Sequence, residues 1–511
     1  MFYRNELKTK QTKTKEYKFN LFDEFKNLDD SKQDCGSTKV IYNYITENGA
    51  LKSGYGFSEL KMPQSTTDLD NESLVEIRGN DVKAIWKLKW YDSVADRNNY
   101  YLFYFNDEGL ICYDNLFMTR LATVIINNDY TQTPYAAYYR QDDQDALLLS
   151  GEGGNLMLVT GNGIETSETA PIIKSCCSHY GKLFAITAST SSTLVYNEDN
   201  DVLNWTDEKT KDLDFSDERG DLNKIISFND YIYIFRDYGI TKLSIYSSDE
   251  EFAVSHMYLA DSYIYPNTIA QSGDEVLFLN KSGLKSFNGS SVKNVDISCA
   301  NLLKTCQQPY AFATAFEGKY YLACRCDYGD GKKIRCENYE GGYKNNTLIV
   351  YDIQSGHTDI VRGVDINQVL ALVNPYKSKL VACFNNEHKG KIGELKEDGK
   401  IFEESLPTLW ESVACDFGQA GMKKRIYAFT IKTSGDVDVV IESENLQRTY
   451  KVKGKDKLQK INTNVYGNQF NVKIISQGSD YITSFVLFAR EVKWKFFTEI
   501  IFDWLKEPFF K

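Results

Sequence analysis

Histidine is nearly missing from this 511-residue chain, which has four: His179, His256, His357 and His388. None falls in an HExxH pattern, and none stands beside a motif serine or cysteine. The sequence has no GxxxxGK[ST] phosphate loop and no GxSxG nucleophile elbow. Each histidine is therefore expected in a turn or strand, and the chain is not expected to be an enzyme. No stretch approaches about 18 uncharged apolar residues, so no membrane insertion is expected. The opening residues MFYRNELKTKQTKTKEY lack the apolar core of a secretory signal, which predicts a chain made and folded in a cytosol. Proline is scarce, at eight residues.

Aromatic residues are plentiful, with 35 tyrosines and 29 phenylalanines. Such side chains suit a pleated, half-buried surface, so the composition leans towards β structure. The eleven cysteines are an odd number, and Cys176 and Cys177 are adjacent. Without a secretory signal they are expected reduced and buried as small apolar residues. Net charge is −12, and residues 1–20 carry six Lys/Arg against two Glu, which leaves about −16 for the rest. An acidic body argues against tight nucleic-acid binding, which needs clustered cations, but allows transient, non-specific contact with DNA.

Hairpin-like units recur along the chain. FNDYIYIFRDYGITKLSIY (228–246) has apolar residues at alternate positions, a short break, and a second alternating run. Comparable units begin near residues 100, 146, 182, 231, 275, 319 and 379, a mean spacing of about 46 with intervals of about 36 to 60. One hairpin takes about 20 residues, so each period has room for two further strands, which is the interval of a propeller blade. The spacing predicts a β-propeller of seven four-stranded blades. Six blades, or two unrelated sandwiches, are the alternative readings. After Pro407 the period is lost, and KKRIYAFTIKT, GDVDVVIES, NQFNVKIIS and YITSFVLFAR read as a small β-sandwich. NGALKSGYGFSELKMP (48–63) reads as a strand pair joined through glycines. The expected organisation is a basic arm over 1–35, the propeller over 36–405, a sandwich platform over 406–492, and an amphipathic tail over 493–511.

Few residues point to chemistry. Cys324, Cys326 and Cys336 offer three thiols, but a structural zinc site takes four ligands, so no bound metal and no cofactor are expected. DYGDGKKIRCENYEGG (327–342) carries Asp327, Asp330, Glu337 and Glu340 around glycines without the EF-hand spacing. It is expected to be a long solvated loop and a candidate contact surface. YNEDNDVLNWTDE (196–208) has the acidic turn and Trp205 of a sialidase Asp-box but lacks its Ser and Gly. In WKFFTEIIFDWLKEPFFK, Trp494, Phe497, Ile501, Trp504 and Leu505 fall on one face of a short helix that Pro508 ends. Glu499, Asp503 and Glu507 make an anionic membrane an unsuitable partner for it. Trp494, Phe497, Ile501, Trp504, Phe509 and Phe510 are the expected partner-binding set.

Two passages carry a family resemblance. In TLVYNEDNDVLNWTDEKTKDLDFSDERGDLNKIISFNDYIYIFRDYGITKLSIY (193–246), a strand runs into an acidic turn and a Trp, then a charged loop and a hairpin. TLWESVACDFGQAGMKKRIYAFTIKTSGDVDVVIESENLQRTYKV (408–452) has a DFG lead-in, a Ser-Gly-Asp-Val turn and an alternating strand. Together they resemble the propeller-type tail proteins of bacteriophages, the hub or nozzle proteins and the head-tail DNA-stabilisation proteins. The resemblance implies a structural virion component: a homo-oligomeric ring around a DNA exit channel, in contact with portal, adaptor or other tail proteins, assembled in the host cytoplasm. It brings no catalytic residues. A cellular propeller scaffold for protein partners and a propeller carbohydrate-active enzyme are the other readings.

The apolar tail makes one expectation measurable. Deleting residues 494–511 should leave a chain that is folded and monodisperse by light scattering but no longer enters the particle. Normal assembly of the truncated chain would remove the tail's role as an anchor, and its precipitation would assign the aromatics to the protein's own core.

Overall fold

A strand buried on both faces needs an apolar residue at nearly every position, whereas one buried on a single face needs them at every second position. Both patterns occur here, and they separate two compact units. In the computed structural model, residues 37–60 and 81–492 are described, apart from 48, 108, 114–121, 128–129, 142–143, 207, 246–251, 374–377, 418–420 and 477–480. One unit runs from Tyr55 to Leu406, and the other combines residues up to Gly54 with those from Pro407 onward. The expected terminal helix over 494–507 lies outside the described residues. Among those described, the one α-helix is Ala300–Lys304, and no helix is long and apolar enough to cross a membrane.

The Tyr55–Leu406 unit is a seven-bladed propeller. Blade one comprises Ala84–Asp92, Arg97–Phe105, Gly109–Tyr113 and Ala122–Asn127, each strand antiparallel to the next. Blades two to five repeat the pattern from Tyr135–Gln141 to Gly163–Ser167, Ile173–His179 to Thr210–Asp214, Leu222–Phe228 to Phe252–Leu259, and Ala270–Ser272 to Val292–Asn294. Blade six is Gln307–Phe316, Lys319–Arg325, Asn345–Asp352 and the first half of the long strand Thr358–Leu372. The second half of that strand opens blade seven and pairs with Lys379–Phe384, then Ile392–Lys396. Between the halves Gly363 has φ +90°, a value that favours glycine, and a Cβ there would meet Ile334 at 2.9 Å.

The recurring hairpins of the sequence are strands two and three of each blade. Second strands such as Lys182–Thr187, Tyr231–Arg236 and Glu275–Asn280 are buried along almost their whole length, because blades cover them from both sides. Asn229 and Asp230, at φ +49° and +61°, form the two-residue turn into that strand. Between blades three and four, Phe184, Ile186, Leu194, Ile225, Ile232 and Ile234 pack into one core, and comparable cores fill the neighbouring interfaces.

Blade seven lacks a fourth strand from its own stretch of chain. Gly56–Glu59 supplies it, antiparallel to Ile392–Lys396, with Phe57 fully buried beside Phe384 at a ring distance of 5.1 Å. The ring then closes on blade one. The Gln368 amide accepts from Ile85 N–H at 3.0 Å and donates to Ile85 C=O at 2.8 Å, and Lys87 Nζ reaches Ala371 O at 2.7 Å.

The second unit is a sandwich of two five-stranded sheets. One has the order Thr38–Tyr42, Thr408–Ser412, Phe470–Ser476, Val437–Ser443, Gln447–Val452. The other has the order Tyr44–Glu47, Ala50–Ser53, Ile482–Glu491, Lys424–Thr433, Gln459–Gly467. Single-face alternation is clear in Phe470–Ser476, where every second residue is buried. Trp410, Phe429, Val439, Ile441, Ile474 and Leu487 lie in its core, and Trp410 Nε1 donates to Thr38 Oγ1 at 2.9 Å.

Two expectations are corrected. The propeller begins at Tyr55 and not at residue 36, because strands 38–53 are completed by strands from the far end of the chain. Ala50–Ser53 and Gly56–Glu59 are not a hairpin but enter different sheets. Gly54 between them sits so close to the Asn43 backbone that a Cβ would lie 2.6 Å from its carbonyl carbon, so the glycine serves a close approach of two backbone segments.

Replacing Gln368 with Ala tests the ring closure. It leaves the buried Ile85 N–H and C=O without their side-chain partner, at about 1–3 kcal/mol for an unsatisfied buried group. A denaturant titration of the full chain should show that loss, and unchanged stability would mean the amide clamp contributes nothing to closure.

Candidate functional site

The described residues singled out for chemistry all belong to the propeller unit. Trp494, Phe497, Ile501, Trp504, Phe509 and Phe510 lie outside the described residues. The histidines sit on or beside blade strands. His179 Nδ1 is 3.1 Å from Ser227 Oγ, His256 Nδ1 is 3.4 Å from Thr241 Oγ1, and His357 Nε2 is 3.0 Å from Asp359 Oδ1. His388 is buried between the rings of Phe384 and Phe402, with Nε2 3.2 Å from Arg335. Trp205 donates its indole N–H to Val202 O at 2.7 Å and packs on the core between blades two and three.

The cysteines depart from expectation in two ways. Cys415 is disulfide-bonded, so the chain's cysteines are not all reduced. Cysteine spacing alone does not reveal connectivity, so this bond was not legible from the sequence. Secondly, Cys336 does not join Cys324 and Cys326. It sits on a short turn, Arg335–Asn338, with its thiol 3.1 Å from Val364 O.

Cys306 takes that place. The sulfurs of Cys306, Cys324 and Cys326 all lie within 4.8 Å of one another, and those of Cys324 and Cys326 are 3.5 Å apart. The register of blade six produces this arrangement. Gln307 pairs with Arg325 across strands one and two, which puts Cys306 opposite Cys326. Cys324 is two residues earlier on the same strand and so faces the same side. The helix Ala300–Lys304 delivers Cys306, whose N–H donates to Leu303 O at 3.0 Å, and Asp327 N–H donates to Thr305 Oγ1 at 3.0 Å. Asn346 holds the end of strand two on both sides, accepting from Cys326 N–H at 2.9 Å and donating to Cys326 O at 3.0 Å.

Cys324 and Cys326 are buried, and Cys306 is half-buried. Hydrogen bonds from the Cys324 and Cys326 thiols outweigh burial and hold Cys306 well below the usual thiol range. Its partners are pushed the other way, Cys324 chiefly by the hydrogen bond it gives Cys306. A buried cysteine outside this cluster behaves differently, since burial alone pushes Cys176 up to about 12.

The long acidic loop is held from within. Arg362, nearly fully buried on the long strand, is its anchor. Its Nε and Nη2 donate to Glu337 at 3.0 and 2.9 Å, and its Nη1 donates to Asp330 at 2.6 Å. Tyr328 lies under the guanidinium at 3.8 Å. Glu337 is buried and also accepts from Asn346 and Ile334 N–H, which corrects the expectation of a wholly solvated loop. The signal for this anchor was an arginine inside the otherwise apolar run IVRGV (360–364).

Burial would push the Asp330 carboxyl up, but hydrogen bonds from Arg362 and Lys332 N–H outweigh it and hold it below the usual range. A carboxylate with a depressed folded pKa contributes stability above its unfolded pKa and loses it as the pH falls through the folded value. Replacing Arg362 with Met removes one partner of a buried ion cluster, a loss of about 3–5 kcal/mol at neutral pH. The gap between wild type and variant should narrow below about pH 4, near the reference carboxylate value. Chemical denaturation across that range checks both points, and a gap independent of pH would mean the ion pair is not its source.

No family model and no curated protein sequence matches the chain. Among solved structures, it is similar to the extracellular domain assigned to a one component system of B. thetaiotaomicron, with a TM-score of 0.41 and 10% identity. That match covers 85% of this chain but 59% of that one, so the chain spans less than two thirds of its length. BamB from Moraxella catarrhalis matches with a TM-score of 0.32 and 10% identity, over 58% of this chain and 91% of that one. A fungal alcohol oxidase of the AA5 family, solved in complex with copper, matches with a TM-score of 0.36 and 11% identity, over 88% and 97% of the two chains.

Proposed function

We propose that this protein is a structural component of a bacteriophage tail, hub- or nozzle-like or proximal to the portal, and not an enzyme. It acts as a homo-oligomeric ring that forms part of a DNA exit channel. The observation that carries this reading is the combination of a closed propeller with a separate sandwich, the pairing that the family resemblance implies. Both passages that carry the resemblance have structural work in this fold. Residues 193–246 span the end of blade three and the first three strands of blade four. In them, fully buried Arg236 ties the charged loop together, bonding Asp217 at 2.8 Å and Gly220 O at 2.7 Å. Residues 408–452 supply four strands of the sandwich.

The acidic balance supports the same role. A net charge of −12 disfavours tight phosphate binding, so contact with DNA would be transient and not sequence-specific. The partners are further copies of this chain and portal, adaptor or other tail proteins. The place of action is the virion tail, after assembly in the host cytoplasm.

Light scattering on the purified full chain, alone and mixed with portal protein, is the direct test. A ring should give a mass several times that of one chain in at least one of the two samples. A monomer in both would favour a cellular scaffold, and turnover of a glycan panel would favour a carbohydrate-active enzyme.

A further inference from the structure

We propose that Cys306, Cys324 and Cys326 bind a single thiophilic d10 cation as a three-thiolate structural site that pins the start of blade six. The expectation of no metal rested on a missing fourth ligand; the fold exchanges Cys336 for Cys306 among the three thiols and still leaves the fourth position to a ligand from solvent. Three sulfurs within 4.8 Å of one another match what one such ion requires. A Zn–S bond of about 2.3 Å sets neighbouring thiolates about 3.8 Å apart around a tetrahedral ion. Soft thiolate donors select Zn²⁺ or Cu⁺ over hard cations. Two of the three are buried, while Cys306 is half-buried, which leaves one side of the site open to solvent for entry of the ion and for a fourth ligand if the ion takes one.

The location gives the ion a task. Strands one and two of blade six pair regularly from Phe312 to Phe316, but their register shifts between Gln307 and Phe312. Ladder hydrogen bonding is interrupted there, so the rim of the blade depends on side chains. A metal bridging Cys306 to Cys324 and Cys326 crosses that irregular stretch and ties the strand leaving the Ala300–Lys304 helix to its neighbour. Asn346 already fixes the Cys326 backbone, so two of the three ligands sit on a positioned strand end.

The test uses the full chain, purified reduced and metal-free, with Co²⁺ as the probe. One equivalent per chain should produce thiolate-to-cobalt charge-transfer absorption. Displacement of cobalt by Zn²⁺ assigns the zinc form, and retention of Cu⁺ against a bicinchoninate competitor assigns the copper form. Cys306→Ser and Cys326→Ser should each weaken binding at least tenfold, while Cys336→Ser leaves it unchanged. A second readout needs no variant: bound metal should protect Cys306, Cys324 and Cys326 from iodoacetamide, mapped by mass spectrometry. Absence of the charge-transfer band, or labelling of these cysteines unaffected by metal, overturns the proposal. So does a disulfide among the three that forms equally with metal present, which would make the cluster a redox pair.

Discussion

The propeller depends on one constraint: each small twisted sheet has two apolar faces and cannot cover either by itself. A blade such as Leu222–Phe228 to Phe252–Leu259 turns Ile225, Ile232, Ile234 and Leu243 to one neighbour and Phe228, Tyr233, Phe235 and Ile240 to the other. Such an array is stable only if it has no end, so the contact between the last blade and the first determines the rest. Here the seam combines apolar packing with directed hydrogen bonds. Leu372, Val381 and Cys383 pack against Ile85, Leu102 and Tyr104, and the Gln368 amide fixes the register through the Ile85 backbone. Packing alone would tolerate sliding, whereas a side-chain amide that both donates to and accepts from one residue does not.

Closure also explains why the chain is interlaced. The propeller's last blade takes its outer strand, Gly56–Glu59, from the beginning of the propeller segment, and the sandwich takes strands 38–53 from the N-terminal side and the rest from beyond Pro407. Neither unit is complete until both ends of its sequence are in place. Contacts between residues so distant in sequence carry a large loop-closure cost before they are formed. Fraying of Ala50–Ser53 would open a sheet of the sandwich, and fraying of Gly56–Glu59 would open the last blade.

What the sequence disclosed follows from this burial pattern. All seven hairpins were legible because strands two and three are covered on both faces and read as dense apolar runs. The outer strands were not. Gly163–Ser167, Thr210–Asp214 and Phe252–Leu259 are largely exposed or half-buried, so their sequences carry no periodic apolar signal. The 60-residue interval before the last hairpin was equally opaque. It comes from the loop of blade six between Arg325 and Asn345, a local insertion that leaves the blade count unchanged. Pairing of strands 38–53 with the C-terminal sheets was invisible for another reason: local pattern specifies which face of a strand is buried, not which distant strand lies beside it.

The same distinction separates the cysteine cluster from the arginine anchors. Cys324 and Cys326 announce a shared face through their spacing, but the third member depends on cross-strand register, and the sequence places Cys336 nearer than Cys306 without regard to it. Arg236 and Arg362 are locally visible as charges inside apolar strands, and a buried charge demands partners. Arg236 finds them in the connection from blade three to blade four, Asp217 with Gly220 O, and Arg362 in the loop of its own blade, Asp330 with Glu337. Replacing a whole cluster, the arginine together with its carboxylates, by well-packed apolar residues would cost little stability, but it would not dictate the path of the loop. The guanidinium does, because its donors point in fixed directions and an acceptor placed wrongly leaves a buried N–H unpaired. In a fold whose blades differ little in their cores, buried arginines thus give individual loops the definition that apolar packing cannot.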